Sequence, residues 1–224
     1  MSQEVFTFKI AGKAGQGVKS SGITFARFIS RSGYHVFTFV EYPSIIKGGH
    51  NVMQVNISKE EVTAPSLTTQ LLVALNQESI DLHVGELSAG SGVIFDGDDK
   101  LDTSKIPAGV NLCAVPLSKL AKDAGGGELL INTVTLGAAT ALLDGDLEVM
   151  KKLIAEEYSD KSPEIIKADQ QAAELGFNYI KQNYAAHVKS TIKLDESLTS
   201  AAPRMVLNGN EAVALGAISA GLQF

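Results

Sequence analysis

Residues 4–40, "EVFTFKIAGKAGQGVKSSGITFARFISRSGYHVFTFV", decide the fold class: an apolar run, a glycine-rich turn, a helical period and a second apolar run follow without interruption. "EVFTFKIAG" is rich in aromatic and β-branched residues and ends in glycine, which reads as a first strand. Val18, Gly22, Phe25 and Ile29 fall at helical spacing, and Gly33 stands where a C-terminal glycine stops a helix. "YHVFTFV" (34–40) reads as a second strand, completing a unit of roughly 35 residues for which a parallel right-handed crossover is expected. The turn carries Gly12, Gly15 and Gly17. Glycines there let backbone N–H groups approach an anion while the helix N-terminus adds favourable partial charge. The spacing is G-x-x-G-x-G, which is neither the G-x-G-x-x-G of dinucleotide-binding units nor a nucleoside-triphosphate loop. A turn needed only for tight strand–helix packing is the alternative. Lys9, Lys13 and Lys19 surround the loop and are expected to form a positive patch, or simply a solvated lysine face.

Outward from this unit, "EYPSIIKGGH" (41–50) is a loop broken by Pro43 and Gly48-Gly49, and it leads into the alternating strand "NVMQVNIS" (51–58). "LLVALN" (71–76) has the continuous apolar character of a central parallel strand. "SGVIFDGDD" and "NLCAVP" look like two further strands. Beyond them "ELLINTVTLGAATALLDG", "DLEVMKKLIAEEYS" and "SPEIIKADQQAAELGFNYIKQNY" carry apolar residues at helical spacing, with Ser162-Pro163 as an N-cap and first-turn proline. Residues 186–203 are polar and aperiodic and read as a linker. "RMVLNGNEAVALGAISAGLQF" then opens with a turn at Asn208-Gly209-Asn210 and continues as a helix of small apolar residues. That helix needs close neighbours to bury it, so the chain looks cut short; a terminal helix docking back on the first domain is the alternative.

The chain has 224 residues, 45% of them hydrophobic, enough for one substantial core. A formal charge of −6 argues against a nucleic-acid binder, which shows a basic face to phosphates. Cys113 is the single cysteine, so the chain can form no internal disulfide and cannot by itself supply a four-cysteine zinc site or a cysteine-ligated cluster. In "LCAVP" it reads as a small core residue. His35, His83 and His187 show no metal-ligand spacing. No secretory leader or apolar run of membrane-spanning length is evident, so a cytoplasmic location is expected.

"GKAGQGVKSSGITFARFISRSGYHVFTFVEYPSIIKGGHNVMQVNIS", followed by "LLVALN" and "INTVTLGAATALL", resembles the gamma-type domain of the 2-oxoacid:ferredoxin oxidoreductases. The likeness covers about residues 4–182. It implies an α/β fold with a mostly parallel Rossmann-like sheet and flanking helices. The tail "NGNEAVALGAISAG" is similar to the segment that, in fused members, opens the alpha portion contacting thiamine diphosphate. The implied division is a gamma-type domain over 1–185, a linker over 186–203 and the truncated start of a thiamine-diphosphate pyrimidine-type domain over 204–224. Glu211 is not assigned the role of the thiamine-activating carboxylate, which in related domains comes well downstream.

The family oxidatively decarboxylates 2-oxoacids on thiamine diphosphate, passes electrons through iron–sulfur clusters to ferredoxin and forms an acyl-coenzyme A. The resemblance implies that this portion is a coenzyme A docking and assembly module. Thiamine diphosphate and iron–sulfur cluster would be held elsewhere, and the remainder of alpha, a thiamine-binding beta subunit and ferredoxin would be partners. No catalytic residue or metal ligand is expected in the chain. Carried over by motif, Gly12, Lys13, Gly15, Gln16 and Gly17 form the first loop. Glu41, Tyr42, Pro43, Lys47, Gly48 and Gly49 form a second loop at the same sheet edge, where ligands collect in open α/β folds. Two departures stand out: Lys47 where members commonly carry arginine, losing the bidentate fork, and Gln70 where they often carry aspartate. His50 could contact a phosphate or carboxylate, or be an ordinary loop histidine. Asn132 and Gly137 are expected to serve the helix start and close helix–sheet packing. Two other readings stay open: a freestanding dinucleotide-binding oxidoreductase, with Glu41 ~24 residues beyond Gly17 as ribose-binding carboxylate, and a non-catalytic subunit-packing module.

Overall fold

The first unit folds as strand β1 (Phe6–Lys13), helix α1 (Val18–Arg31) and strand β2 (His35–Glu41). The computed structural model describes residues 5–43, 48–188, 194 and 204–223. Helix α1 stops as its glycine predicts. Gly33 adopts φ 90°, its N–H donates to the Ser30 carbonyl, and the Tyr34 N–H donates to that of Ile29, a Schellman closure.

Strand β3 (His50–Ser58) changes the expected topology. It pairs antiparallel with both β1 and β2, giving the order β2-β3-β1-β4-β5-β6. Strand β2 therefore runs in the same direction as β1 but not beside it. The connection through 42–49 is too short for the crossover that a parallel neighbour requires, so β2 and β3 form a hairpin and β3 takes the place next to β1. The remaining pairs, β1 with β4 (Leu71–Ala74), β4 with β5 (Gly92–Asp96) and β5 with β6 (Asn111–Val115), are parallel. The sheet is mixed, with β3 alone reversed, inside an α/β architecture.

One sheet face meets α1, α3 (Leu117–Asp123), α4 (Ile131–Leu142), α5 (Leu147–Glu157) and α6 (Pro163–Asn183). The Phe8 and Phe25 rings stack at 3.9 Å in the centre of this core. Gly137 does not pack against the sheet as expected. A Cβ there would collide with the Ala173 backbone of α6, and one at Gly176 with the Val134 backbone of α4. Two glycines thus bring two helices into backbone contact.

The other face carries α2 (Gln77–His83), a 3-10 turn at 84–86 and a small apolar cluster around Ile80 and Leu72. Here the alternation of β3 misleads, because its polar residues are buried rather than wet. Gln54 and Asn56 are covered by the chain around Ser66 and satisfied by it: the Gln54 amide donates to the Ser66 carbonyl at 2.8 Å, and the Ser66 N–H to Asn56 Oδ1 at 2.9 Å. A short helix α7 (Ala185–Val188) follows α6, and most of the segment read as a linker lies outside the described residues. Helix α8 (Gly209–Ser219) starts from a capping box in which Asn208 and Glu211 satisfy each other's N–H groups.

Candidate functional site

The carboxyl ends of the parallel strands and the start of β3 share one sheet edge, and both glycine loops lie on it. After β1 the chain turns through Gly15 (φ 92°) and Gly17 (φ 70°) into α1. Gly17 is the N-cap residue, and no side chain caps the helix, so its first-turn N–H groups stay open to a ligand. Gln16 faces inward. Its Oε1 accepts from the Lys13 N–H at 2.6 Å, bracing the turn, and leaves no room for a side chain on Gly12. Gly48 and Gly49, also at positive φ, join the first loop directly, since the Ala14 N–H donates to the Gly49 carbonyl at 3.0 Å.

Lys13 and Lys19 are exposed beside the loop. Lys9 is not part of that patch. It is buried on the α2 side, paired with Glu86 at 2.6 Å, because it occupies the opposite face of β1 from the helical core. Glu41, Tyr42 and Pro43 are exposed, and Lys47 lies outside the described residues. Gln70 sits before β4, at the opposite sheet edge, and its Oε1 accepts from the Thr7 N–H at 2.8 Å. This departure from the family pattern braces strands and does not touch the loops.

Sequence reasoning did not find the partners that tertiary contact supplies. Asn132, at the start of α4, does more than begin a helix: its Nδ2 donates to the Gln16 carbonyl at 2.6 Å and fills the space a Gly17 Cβ would need. A cleft of about 540 Å³ opens on this side, between the glycine loop, the ends of β4 and β5 and the starts of α3 and α4. Its ionisable lining is Asp96, Asp99, Glu128, Glu157 and Tyr158, without lysine or arginine. Asp96 is occupied in holding the start of α3 through the Ser118 N–H at 2.9 Å and hydroxyl at 2.6 Å. Glu157 accepts from Thr24 at 2.7 Å and Arg27 at 2.9 Å. Burial raises the Asp99 pKa, helped by Asp96 and Asp98. Such a cleft suits an uncharged group, whereas a phosphate belongs on the loop N–H groups and flanking lysines.

On the α2 side His50 and His83, which sequence spacing left unconnected, meet with their Nε2 atoms 2.9 Å apart, and His83 Nδ1 lies 2.8 Å from Glu86. Burial alone would raise the Glu86 pKa, but hydrogen bonds from His83, Lys9 and Thr69 outweigh it and hold the carboxyl at about 2. Among the described residues no group of three or more histidine, cysteine, aspartate or glutamate side chains is placed to hold a metal. The Cys113 thiol is buried and pushed up to about 12, which makes it a poor metal ligand or nucleophile. This donor set does not fit an iron–sulfur cluster. No described helix is long and apolar enough to cross a membrane.

The structure is an open α/β sheet with two clasped glycine loops at its carboxyl edge, the edge at which ligands collect in doubly wound folds. The chain belongs to the pyruvate ferredoxin/flavodoxin oxidoreductase family, which it matches over residues 7–179. It is 34% identical over 178 residues to the ketoisovalerate oxidoreductase subunit VorA of Methanothermobacter marburgensis, covering 78% of this chain and 36% of that one. It is 26% identical to the 2-oxoglutarate synthase subunit KorC of Archaeoglobus fulgidus, covering 84% of this chain and 96% of that subunit. The 2-oxoglutarate:ferredoxin oxidoreductase of Magnetococcus marinus, solved with 2-oxoglutarate, coenzyme A and succinyl-CoA bound, superposes with a TM-score of 0.76 at 27% identity. That match covers 99% of this chain and 38% of the other. The chain thus spans about a third of the length of the first of these relatives.

Proposed function

We propose that the chain is the gamma-type portion of a 2-oxoacid:ferredoxin oxidoreductase and docks coenzyme A for acyl transfer. The observation that carries this is the clasp of the two glycine loops, Ala14 N–H to Gly49 carbonyl, beside the uncapped start of α1. It gathers backbone donors and the exposed Lys13 and Lys19 at one edge, as a diphosphate requires. Gly12, Gly15, Gln16 and Gly17 shape the first loop. Gly48 and Gly49, with Lys47, Pro43, Tyr42 and Glu41, make the second. The chain's own role is binding and orientation, while the 2-oxoacid is cleaved where thiamine diphosphate is held by other parts of the complex. Its partners are the remaining alpha portion, a thiamine-binding beta subunit and ferredoxin, and 2-oxoglutarate is the favoured 2-oxoacid. A boundary near residue 185 is supported by the KorC subunit of A. fulgidus, nearly all of which matches this chain. Residues 204–224 are then the opening of the following domain, and the complex works in the cytoplasm.

The dinucleotide reading fares worse on geometry. With β3 between β1 and β2, Glu41 stands two strand spacings, about 10 Å, from the loop strand rather than one. Calorimetric titration with coenzyme A, NAD and NADP tests both. Binding of coenzyme A alone is expected, and saturable NAD binding without it would sink the proposal. The isolated chain is expected to oxidise no 2-oxoacid, since it assigns no residue to that chemistry.

A further inference from the structure

Two buried side-chain atoms lack a hydrogen-bond partner among the described residues, His50 Nδ1 and Asn76 Nδ2. Buried polar atoms are nearly always paired, so each such orphan calls for an occupant. His50 opens β3 and pairs with Lys13 at the end of β1, while Asn76 follows β4 on the other side of β1. Both orphans therefore flank the strand that delivers the glycine loop.

The hydrogen bonds fix which kind of atom His50 presents. Glu86, ionised, only accepts, so His83 Nδ1 carries a proton and donates to it. In the state in which neither imidazole carries a charge, His83 Nε2 is then an acceptor and His50 Nε2 the donor to it. His50 Nδ1 is left as a bare lone pair. Burial and the neighbouring His83 lower the His50 pKa and Lys9 adds to this, against Glu78 of α2 and Glu41 of β2, which raise it. Gly48 and Gly49 immediately precede it, and a Cβ on Gly48 would meet nothing within 4 Å, so the backbone next to His50 is loosely packed.

We infer that His50 is a specificity contact of the docking site: Nδ1 accepts a hydrogen bond from an N–H, O–H or S–H group of the ligand and refuses an ionised phosphate. A phosphate offers only acceptors and would meet lone pair with lone pair. The glycine loops and His50 thus divide the ligand, the loops holding its anionic part and His50 its neutral donor-bearing part. In coenzyme A the donors are the pantetheine thiol, hydroxyl and amide groups, the ribose 2′-hydroxyl and the adenine amine. This rests on the docking reading above.

The test is nitrogen NMR of the full chain labelled with [15N]histidine, at pH 8, with signals assigned through His50→Phe. Coenzyme A, its desulfo form and dimethyl pyrophosphate, a diester that like the diphosphate of coenzyme A carries no P–OH, are the probes, with calorimetry in parallel. In the free chain His50 is expected protonated at Nε2 and bare at Nδ1. Coenzyme A should move the Nδ1 resonance toward the hydrogen-bonded range, and dimethyl pyrophosphate should leave it in place. If desulfo-coenzyme A moves it equally, the donor is not the thiol. His50→Phe should weaken coenzyme A ~2- to 10-fold, the worth of one net hydrogen bond. His50→Gln, which keeps an acceptor, should restore part of the loss. A free chain with the proton on Nδ1, or coenzyme A binding by calorimetry with His50 unmoved, overturns the inference and leaves docking intact. No heat with coenzyme A overturns both.

Discussion

Gly17 holds a left-handed backbone at the mouth of the cleft, and the Asn132 amide lies 2.5 Å from where a Cβ would go. Gly17→Ala is therefore expected to cost about 1–3 kcal/mol in denaturant unfolding, through backbone strain and displacement of Asn132. Coenzyme A affinity should fall with it. Asn132→Ala should weaken binding less, because the glycine turn survives; equal affinity in both variants and the parent would show that the loop makes no ligand contact. The glycines themselves were legible in the sequence, since their spacing after a strand has few uses. Asn132, His83 and Glu86 were not. Each acts across a long sequence interval on a group whose nearness only folding creates. Glu86 also sets an acid limit. Its carboxyl is depressed to about 2 from an ordinary 4.5, so its stabilising contribution is complete above pH 4.5 and disappears as pH falls toward 2. Thermal unfolding across that window should show a loss of a few kcal/mol. Glu86→Gln should be less stable at pH 7, with Lys9 left buried and unpaired, and its acid slope should be shallower.

Among the elements, α4 and α6 make the most demanding contact. Gly137 and Gly176 each face the other helix's backbone, so a single methyl cannot be accommodated by rotating a side chain. Gly137→Ala should destabilise by about 1–3 kcal/mol or more despite the gain in helix propensity. Gly216→Ala in α8, with open space around its added Cβ, should be neutral to about 1 kcal/mol stabilising. Equal effects in chemical denaturation would contradict the packing described here. The helical periods of α1, α5 and α6 were readable because each shows an apolar stripe, whereas α4 is buried all round from Thr133 to Leu142 and was readable from its length and small apolar residues. Helices α2 and α3, seven residues each, are too short to display one. The sheet order, with β3 between β1 and β2, was hidden for a related reason, in that local pattern marks a strand but not its neighbour.

At the scale of the whole molecule, β1 to α6 contain nearly all the buried side chains, while α8 leaves Met205, Val213 and Ile218 around it exposed. Removing residues 204–224 should preserve one cooperative thermal transition with a midpoint shifted by only a few degrees, the loss being chiefly the Val206 contact and the Arg204 bond to the Gly33 carbonyl. A collapse of cooperativity would mean that α8 belongs to the core. Sequence by itself determined the strand–glycine loop–helix opening, the α/β class, the family and the buried state of Cys113, because each depends on local composition and period. Tertiary structure alone decided the reversed β3, the acid-lined cleft, the burial of Lys9 and the Glu86–His83–His50 chain. Those follow from which strands become neighbours, a choice governed by connection length and by burial of both sheet faces, which no local window of residues records.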